Sequence, residues 1–329
     1  MFWMPGRSYR GPLPKLTAAE QQLSKNLSAH VWLLAGDIGA RSLTSAPENL
    51  EKAAQYIEHV FRSYGYQPER QEFAVETLSQ QQAEVTSEGI RFPTVRHIAR
   101  NIVAEKVGTV AESDIVIVGA HYDSVYECPA ANDNGSGVAA MLEIARVLHN
   151  EPLHKTLRLV AFANEEPPFF RTDQMGSYQY ARQCNEQQER IAAMLCLETI
   201  GYYTEGPATQ KFPHPIFGFV YPKTGNFVSF VSNLQSASLL GRCVQSFRNA
   251  VKFPSEGISV PSEIKGADFS DQYNFWQLGY PAVMVTDTAF YRYPHYHELE
   301  DTPDKINYDT LARVVTGLTG VVRNVCGDS

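Results

Sequence analysis

Six side chains, His121, Asp133, Glu165, Glu166, Glu198 and His297, are the ones in this chain best placed to do chemistry. Each follows or ends a short apolar run: Ile115-Val116-Ile117-Val118 lies just before His121, residues 156–163 (TLRLVAFA) before Glu165-Glu166, and residues 191–199 contain Glu198 near their end. Runs of this length, rich in β-branched residues, read as buried strands. Imidazole and carboxylate together, without thiolate, form a donor set suited to zinc or a similar divalent ion. Five ligands exceed the usual three of one catalytic site, so a pair of ions sharing one carboxylate is the economical reading. Two ions about 3.5–4 Å apart would polarise a carbonyl and activate a water between them. Taken singly, each residue has an ordinary structural alternative. A histidine can be a hydrogen-bonded surface residue, Asp133 before Asn134-Gly135 can cap a turn or helix, the Glu165-Glu166 pair can be solvated, and Glu198 can pair with an arginine.

The elements that must position these groups follow from periodicity. Residues 1–15, with Pro5, Gly6, Gly11, Pro12 and Pro14, cannot form a regular helix and are expected to be an extended arm lying on the body. Thr17 before Glu20 makes a capping box for a helix carrying Leu23, Leu27, Val31 and Leu34. A second helix is expected over 46–64, ended by Gly65, and strands include 71–75 and 101–104. The strand at 115–118 leads through a Gly- and Asn-bearing loop into a helix from Val138, with Met141, Leu142, Ala145 and Leu148 at helical spacing. Further on, the pattern predicts a helix over 177–185, a strand over 216–221 and a helix over 226–251. It then predicts a short helix capped by Ser270-Asp271, a strand over 282–285, an aromatic loop over 290–297 and a closing helix over 308–325.

Strands alternating with helices point to an α/β fold. The expected form is a three-layer α/β/α sandwich with a mixed, largely parallel central sheet, in a single domain over 1–329. In such sheets ligands sit at the carboxyl ends of the strands, where these six residues fall. The 329 residues carry a net charge of −8, 43% apolar and 19% charged residues, and no internal repeat. This modest charge, spread along the chain, argues against a nucleic-acid footprint. No run of about 18 apolar residues spans a membrane. The five cysteines, at 128, 184, 196, 243 and 326, lack the spacing of a zinc-thiolate site or a disulfide framework, leaving room for one disulfide at most. The first residues lack the basic and apolar regions of a signal peptide.

Five short stretches together resemble the co-catalytic di-zinc aminopeptidases of the aminopeptidase Y type, whose relatives include glutamate carboxypeptidases and glutaminyl cyclases. They are Gly119-Ala120-His121-Tyr122-Asp123-Ser124, Ala131-Asn132-Asp133-Asn134-Gly135-Ser136-Gly137, Asn164-Glu165-Glu166, Leu197-Glu198-Thr199-Ile200-Gly201-Tyr202, and Tyr296-His297 with Asp301-Thr302. The resemblance implies two Zn2+ ions. His121 and Glu198 would bind one, Glu166 and His297 the other, with Asp133 as the bridge. Glu165 would be the general base, consistent with neighbours on an extended segment pointing in different directions.

Asp123 is placed to accept the second ring N–H of His121, and Asp301 to support His297 or cap the turn before Pro303. The resemblance further implies a cis peptide after Asp133, and makes His297, which keeps the family distance to Asp301, the ligand in preference to His295. The chain departs from the family at Glu198, where aspartate is common, leaving one Zn2+ if that position is not a functional ligand. It departs again at Gln272, where relatives often have histidine. The aromatics Tyr291, Tyr293 and Tyr296 are read first as packing, with pocket lining or donation to an oxyanion as the alternative.

The activity this implies is that of a metallo-aminopeptidase acting on a peptide or N-terminal amino-acyl substrate. A single-zinc glutaminyl cyclase and a carboxypeptidase of the same superfamily stand as alternatives. The absence of an insertion large enough for a dimerisation domain favours a monomer. The resemblance leans towards an exported or envelope location with a leader removed, and a cytoplasmic location is the alternative.

Overall fold

A computed structural model describes residues 4–78, 84–86, 89–91, 93–262 and 264–327. The capping box at Thr17 forms: its hydroxyl accepts from the Glu20 amide, and the Glu20 carboxylate accepts from the Thr17 amide at 2.8 Å. It starts α1 (Ala18–Val31), whose buried side includes Leu23, Leu27 and Val31, and a π-helical segment, Trp32–Ile38, continues it and buries Leu34. Proline at the first turn starts α2 (Pro47–Ser63), and Gly65, with φ of 95°, lies just beyond its end.

Among the described residues, ten strands follow the expected order with additions. They are β1 (Glu69–Leu78), β2 (Glu84–Thr86), β3 (Gly89–Arg91), β4 (Thr94–Lys106), β5 (Ile115–His121), β6 (Thr156–Phe162), β7 (Ile191–Glu198), β8 (Val228–Ser232), β9 (Ser255–Ser259) and β10 (Ala282–Thr286). All but β2 and β3 join one sheet in the order β1-β4-β6-β5-β7-β10-β8-β9. Its centre, β6-β5-β7-β10, is parallel, and β1, β4 and β8 introduce the antiparallel pairings. The sheet is thus mixed, and its parallel block directs four carboxyl ends to one edge.

Helices cover both faces. On one side α3 (Gly137–Leu148), α5 (Ala237–Ala250) and α7 (Tyr308–Cys326) join α1 and α2 around a core that includes Val116, Val118, Leu159 and Leu195. On the other, α4 (Gly176–Glu186) and α6 (Gln272–Gln277) pack on the alternate residues Ile117, Val160, Phe162 and Met194. Gly137 lets α3 start against β7, since a Cβ there would lie 2.5 Å from the Leu197 carbonyl.

Two elements differ from expectation. Residues 216–221 form no strand. Pro215–Phe219 is a 3₁₀ turn with proline at its start, and its apolar side chains Ile216 and Phe219 are exposed. The helix expected over 226–251 is β8 followed by α5, broken where the Asn233 side chain accepts from the Ser236 amide at 2.9 Å. The β9 segment, SEGIS, has too little apolar character to announce a strand. All five cysteines are buried and free. No helix among the described residues is long and apolar enough to cross a membrane.

Glu143 ties α1 and α2 to α3. Its carboxylate accepts from Arg146 at 2.8 Å, Asn26 at 3.1 Å and the Tyr64 hydroxyl at 3.3 Å, with His30 at 3.4 Å. Burial would raise its pKa, but the hydrogen bonds from His30, Arg146 and Asn26 outweigh it and hold the group at about 2, below its ordinary 4.5. A carboxyl depressed on folding adds stability above its unfolded pKa and loses it as the pH falls through the folded value. The expected loss on acidification from pH 4.5 to 2 is about 1–2 kcal/mol after allowance for solvent screening. Melting temperatures of the protein and its Glu143→Gln variant across that range check this, and superimposable acid limbs would refute it.

Candidate metal centre

Each parallel central strand delivers a polar group at or just past its carboxyl end. β5 ends on His121, β6 runs on through Ala163-Asn164 to Glu165 and Glu166, β7 ends on Glu198, and β10 leads through Asp287 into the loop carrying His297. Asp133 enters from the Ala131–Ser136 segment that precedes α3, where the Asp133–Asn134 peptide is cis.

These six side chains converge. One Asp133 oxygen, Oδ1, lies 3.1 Å from His121 Nε2, and the other, Oδ2, lies 3.1 Å from His297 Nε2. Glu198 Oε2 stands 3.3 Å from His121 Nε2, and Glu166 Oε2 stands 3.3 Å from His297 Nε2. Glu165 Oε2 is 3.9 Å from His121 Nε2. Three donor sets capable of holding a metal result: His121, Asp133 and Glu198; Asp133, Glu166 and His297; and His121, Glu165 and Glu166. The first two share Asp133. Glu198, one methylene longer than the aspartate common in the family, reaches the cluster. His295 belongs to none of these sets; its ring packs edge-on against Tyr293.

The second tier of contacts fixes this geometry. The Asp123 carboxylate accepts the Glu165 amide with one oxygen and the Glu166 amide with the other, both at 3.1 Å, so it holds the segment bearing the two glutamates. His121 Nδ1 meets the Asp123 main-chain carbonyl at 3.2 Å, with the carboxylate at 3.5 Å. The ring is therefore oriented chiefly by backbone, where the sequence suggested the side chain.

Asp301 departs further from expectation. Its oxygens accept the Asn132 amide at 2.8 Å, the Asp133 amide at 3.1 Å and the Tyr293 hydroxyl at 2.7 Å, so it holds the Asp133 loop and leaves His297 alone. Ser270, expected as a helix cap with Asp271, instead donates to Glu198 Oε2 at 2.6 Å, and Asp271 makes no capping bond to α6.

Several contributors lie outside the sequence expectations. Asn134 accepts the Thr199 amide at 3.1 Å and donates to the Leu197 carbonyl at 2.7 Å, and Asn132 accepts the Gly201 amide at 2.8 Å, stitching the Asp133 loop to the end of β7. The buried Arg41 guanidinium donates to the carbonyls of Leu34, Gly39, Tyr122, Pro129 and Ala130. It thereby locks the π-helical segment to both arms of the 122–130 loop. Nothing in the type or spacing of these residues announces such roles.

The electrostatics describe a site that wants cations. Burial and the neighbouring Asp133 charge push Glu166 up to about 7 against the opposing pull of His297. Burial raises Glu165 well above the carboxylate range, His121 opposing and the charges of Glu166, Glu198 and Asp271 adding. Burial would lower His297, yet the adjoining carboxylates of Asp133 and Glu166 hold it up at about 10. Asp133, despite its burial, is held below the ordinary range by the two histidines. Asp133 Oδ2, Glu166 Oε1 and His297 Nε2 are buried without a hydrogen-bond partner of proper geometry. Asp133 Oδ2 and His297 Nε2 lie 3.1 Å apart without being directed at one another, as donors around a common ion would be. A cavity of about 400 Å3 opens from this cluster, with Tyr296 and Phe290 among its walls. Tyr296 stacks on His297 with ring centroids 3.9 Å apart.

Comparison with known proteins follows the same line. Residues 101–322 match the profile of Peptidase family M28. The chain is 36% identical over 332 residues to the uncharacterized protein YfbL of Escherichia coli, covering 98% of this chain and 94% of that one. It is 40% identical over 105 residues to the aminopeptidase YwaD of Bacillus subtilis, a match that spans 31% of this chain and only 22% of the relative. The fold is shared with the zinc aminopeptidase BSAP of Bacillus subtilis, with a TM-score of 0.71, 18% identity and coverage of 93% and 95% of the two chains. It is also shared with the glutaminyl cyclase of Fimbriiglobus ruber, with a TM-score of 0.65, 19% identity and coverage of 96% and 97%.

Asp301→Asn preserves size but turns one acceptor into a donor against the Asn132 or Asp133 amide. The expected result is a loss of about 10–100-fold in zinc affinity, the usual cost of disturbing a group behind a ligand. Competition with a chelating dye measures it, with the melting temperature as the control for folding. An affinity unchanged within about twofold would remove Asp301 from this role.

Proposed function

Because the chain belongs to peptidase family M28, we propose that it is a zinc-dependent aminopeptidase that hydrolyses the N-terminal peptide bond with Glu165 as general base. One observation carries the reading: the two oxygens of Asp133 address two different histidines at the same 3.1 Å, with Glu198 completing one side and Glu166 the other. Such an arrangement suits two ions sharing one carboxylate.

His121, Asp133 and Glu198 would hold one zinc, and Asp133, Glu166 and His297 the other. The pair would supply polarisation of the scissile carbonyl and a water acidic enough to attack it. Glu165 belongs to the cluster without being needed for either three-donor set, so it remains free to take a proton. Burial raises its carboxyl, the direction a base acting near neutral pH requires. It would receive the proton of the attacking water and return it to the departing amine.

Buried acceptors around the centre would bind the substrate's free amino group. Tyr296 lines the cavity beside Glu165, Glu166 and His297. Burial, reinforced by the charges of Asp133, Glu166 and Glu198, holds its hydroxyl protonated, so it can donate to an oxyanion forming on the carbonyl.

Glu165→Gln tests the assignment. It removes the base while leaving both donor sets, so zinc content should match the parent while turnover of a leucyl 4-nitroanilide falls by about 100- to 10,000-fold. Retention of comparable turnover would refute the role of Glu165. Elemental analysis distinguishes two bound ions from one. A glutaminyl peptide that cyclises, or an N-blocked peptide that loses its carboxyl-terminal residue, would favour the cyclase or carboxypeptidase alternative.

A further inference from the structure

The cavity runs from the metal centre along a part of the sheet that the second helical layer leaves open. α4 and α6 pack over the parallel strands, whereas the same face of β8 and β9 meets loops carrying Phe217, Phe227 and Phe269. Strand register shows what lies on its floor. Glu198 pairs with Thr286, Thr286 with Ser229, and Ser229 with Glu256, so these four form one row across β7, β10, β8 and β9. The adjacent row, Met284, Val231 and Ile258, also lines the cavity. Residues two apart on a strand share a face, which places Glu256 on the cavity side together with Ile258 and Val260. Three strand spacings separate Glu256 from Glu198, about 14 Å across the sheet.

The cavity is therefore an apolar passage with carboxylates at both ends. Those at the inner end belong to the metal centre, and Glu256 stands at the other. Among the described residues, Glu256 has no ion-pair partner. Arg248, whose charge it feels, spends its donors on Ser255 and on the Pro5 carbonyl, while Arg10 is exposed and Ser8 supplies a hydroxyl. Burial raises the Glu256 carboxyl above its ordinary value against the pull of those three groups. Lys211 and Lys265, also on the lining, are exposed and meet Tyr291 through their backbones. A half-buried carboxylate beyond apolar walls suits a side chain with a long hydrocarbon stem and a positive tip, since the stem replaces water on the walls and the tip completes the ion pair.

We propose that this cavity receives the side chain of the substrate's first residue and that Glu256 selects a basic one, lysine or arginine. The inference rests on the aminopeptidase reading for its place in turnover, but the pocket can be tested separately. Norleucine has the lysine stem without the ammonium. The zinc-loaded protein should show a kcat/KM at least tenfold higher for lysyl than for norleucyl 4-nitroanilide, with the ratio falling towards one in Glu256→Gln and below one in Glu256→Lys. A parent ratio of one or less overturns the proposal even if neither variant folds. Equilibrium binding of lysinamide and norleucinamide gives the independent arm. If neither anilide is hydrolysed, the aminopeptidase reading fails, while a tenfold preference for lysinamide that Glu256→Gln abolishes still upholds the pocket. If anilides are hydrolysed without a lysine preference, the pocket assignment fails and the aminopeptidase reading stands.

Discussion

Everything at the centre depends on holding buried carboxylates together that would otherwise drive one another apart. Asp133, Glu165, Glu166 and Glu198 are all buried, and among the described residues the basic groups that ion-pair with them are His121 and His297. Two like charges 4 Å apart repel by about 4 kcal/mol at an effective dielectric of 20, and desolvation adds to that cost. Burial, reinforced by the neighbouring carboxylate charges, pushes Glu165 and Glu166 up, and the same carboxylates hold His121 and His297 up against their own burial. Four ionised carboxylates carry the charge that two divalent cations neutralise. The proposed pair of zinc ions thus answers an electrostatic requirement of the site as well as a chemical one.

The fold meets this requirement with rigidity from outside the cluster. Neighbouring parallel strands direct His121, the Glu165-Glu166 pair and Glu198 to one edge, and register between them is fixed by fully buried side chains on both faces of the sheet. Asp133 has no strand of its own. Its position depends on Asp301 gripping two successive amides, on Asn132 and Asn134 binding the end of β7, and on Arg41 gathering five carbonyls nearby. These acceptors and donors are paired where they are buried, and losing one partner leaves the other unsatisfied at about 1–3 kcal/mol. The group with the most delicate role, the shared carboxylate, accordingly has the densest support.

How far the sequence disclosed this depended on whether a residue's role is local. Strands β5, β6 and β7 are short β-branched runs that can be recognised alone, and the polar residues closing them stand out because nothing in folding requires them there. Strand β8 and helix α5 merged into one expected helix because the break between them is an Asn233 side-chain bond, carrying no Gly or Pro. Strand β9 was invisible because its stability comes from pairing with β8 and from covering α5, both long-range facts. The supporting residues were hidden for the same reason. Asp301 could be seen as a carboxylate near a histidine, but that it reaches back to amides 168 and 169 positions earlier is a property of the folded chain.

Chemistry and selection then occupy different parts of one sheet. The reactive cluster lies where four parallel strands end, and its geometry is set by main-chain direction, which side-chain changes barely alter. The cavity lies over the carboxyl end of β10 and over β8 and β9, where among the described residues loops take the place of the α4–α6 layer and the face is whatever alternate residues the strands present. Substituting Ser229, Val231, Glu256 or Ile258 changes that surface without moving a strand end, because each occupies the face opposite the α5 contacts made by Gly257 and Phe230. One pairing couples the two parts. Thr286 sits beside Glu198 in the same row, and its hydroxyl meets the Thr199 carbonyl at 3.3 Å, so a bulky residue there would press on the centre itself. Variation in which terminal residue fits is therefore least constrained far from β7, at the β8–β9 end of the cavity.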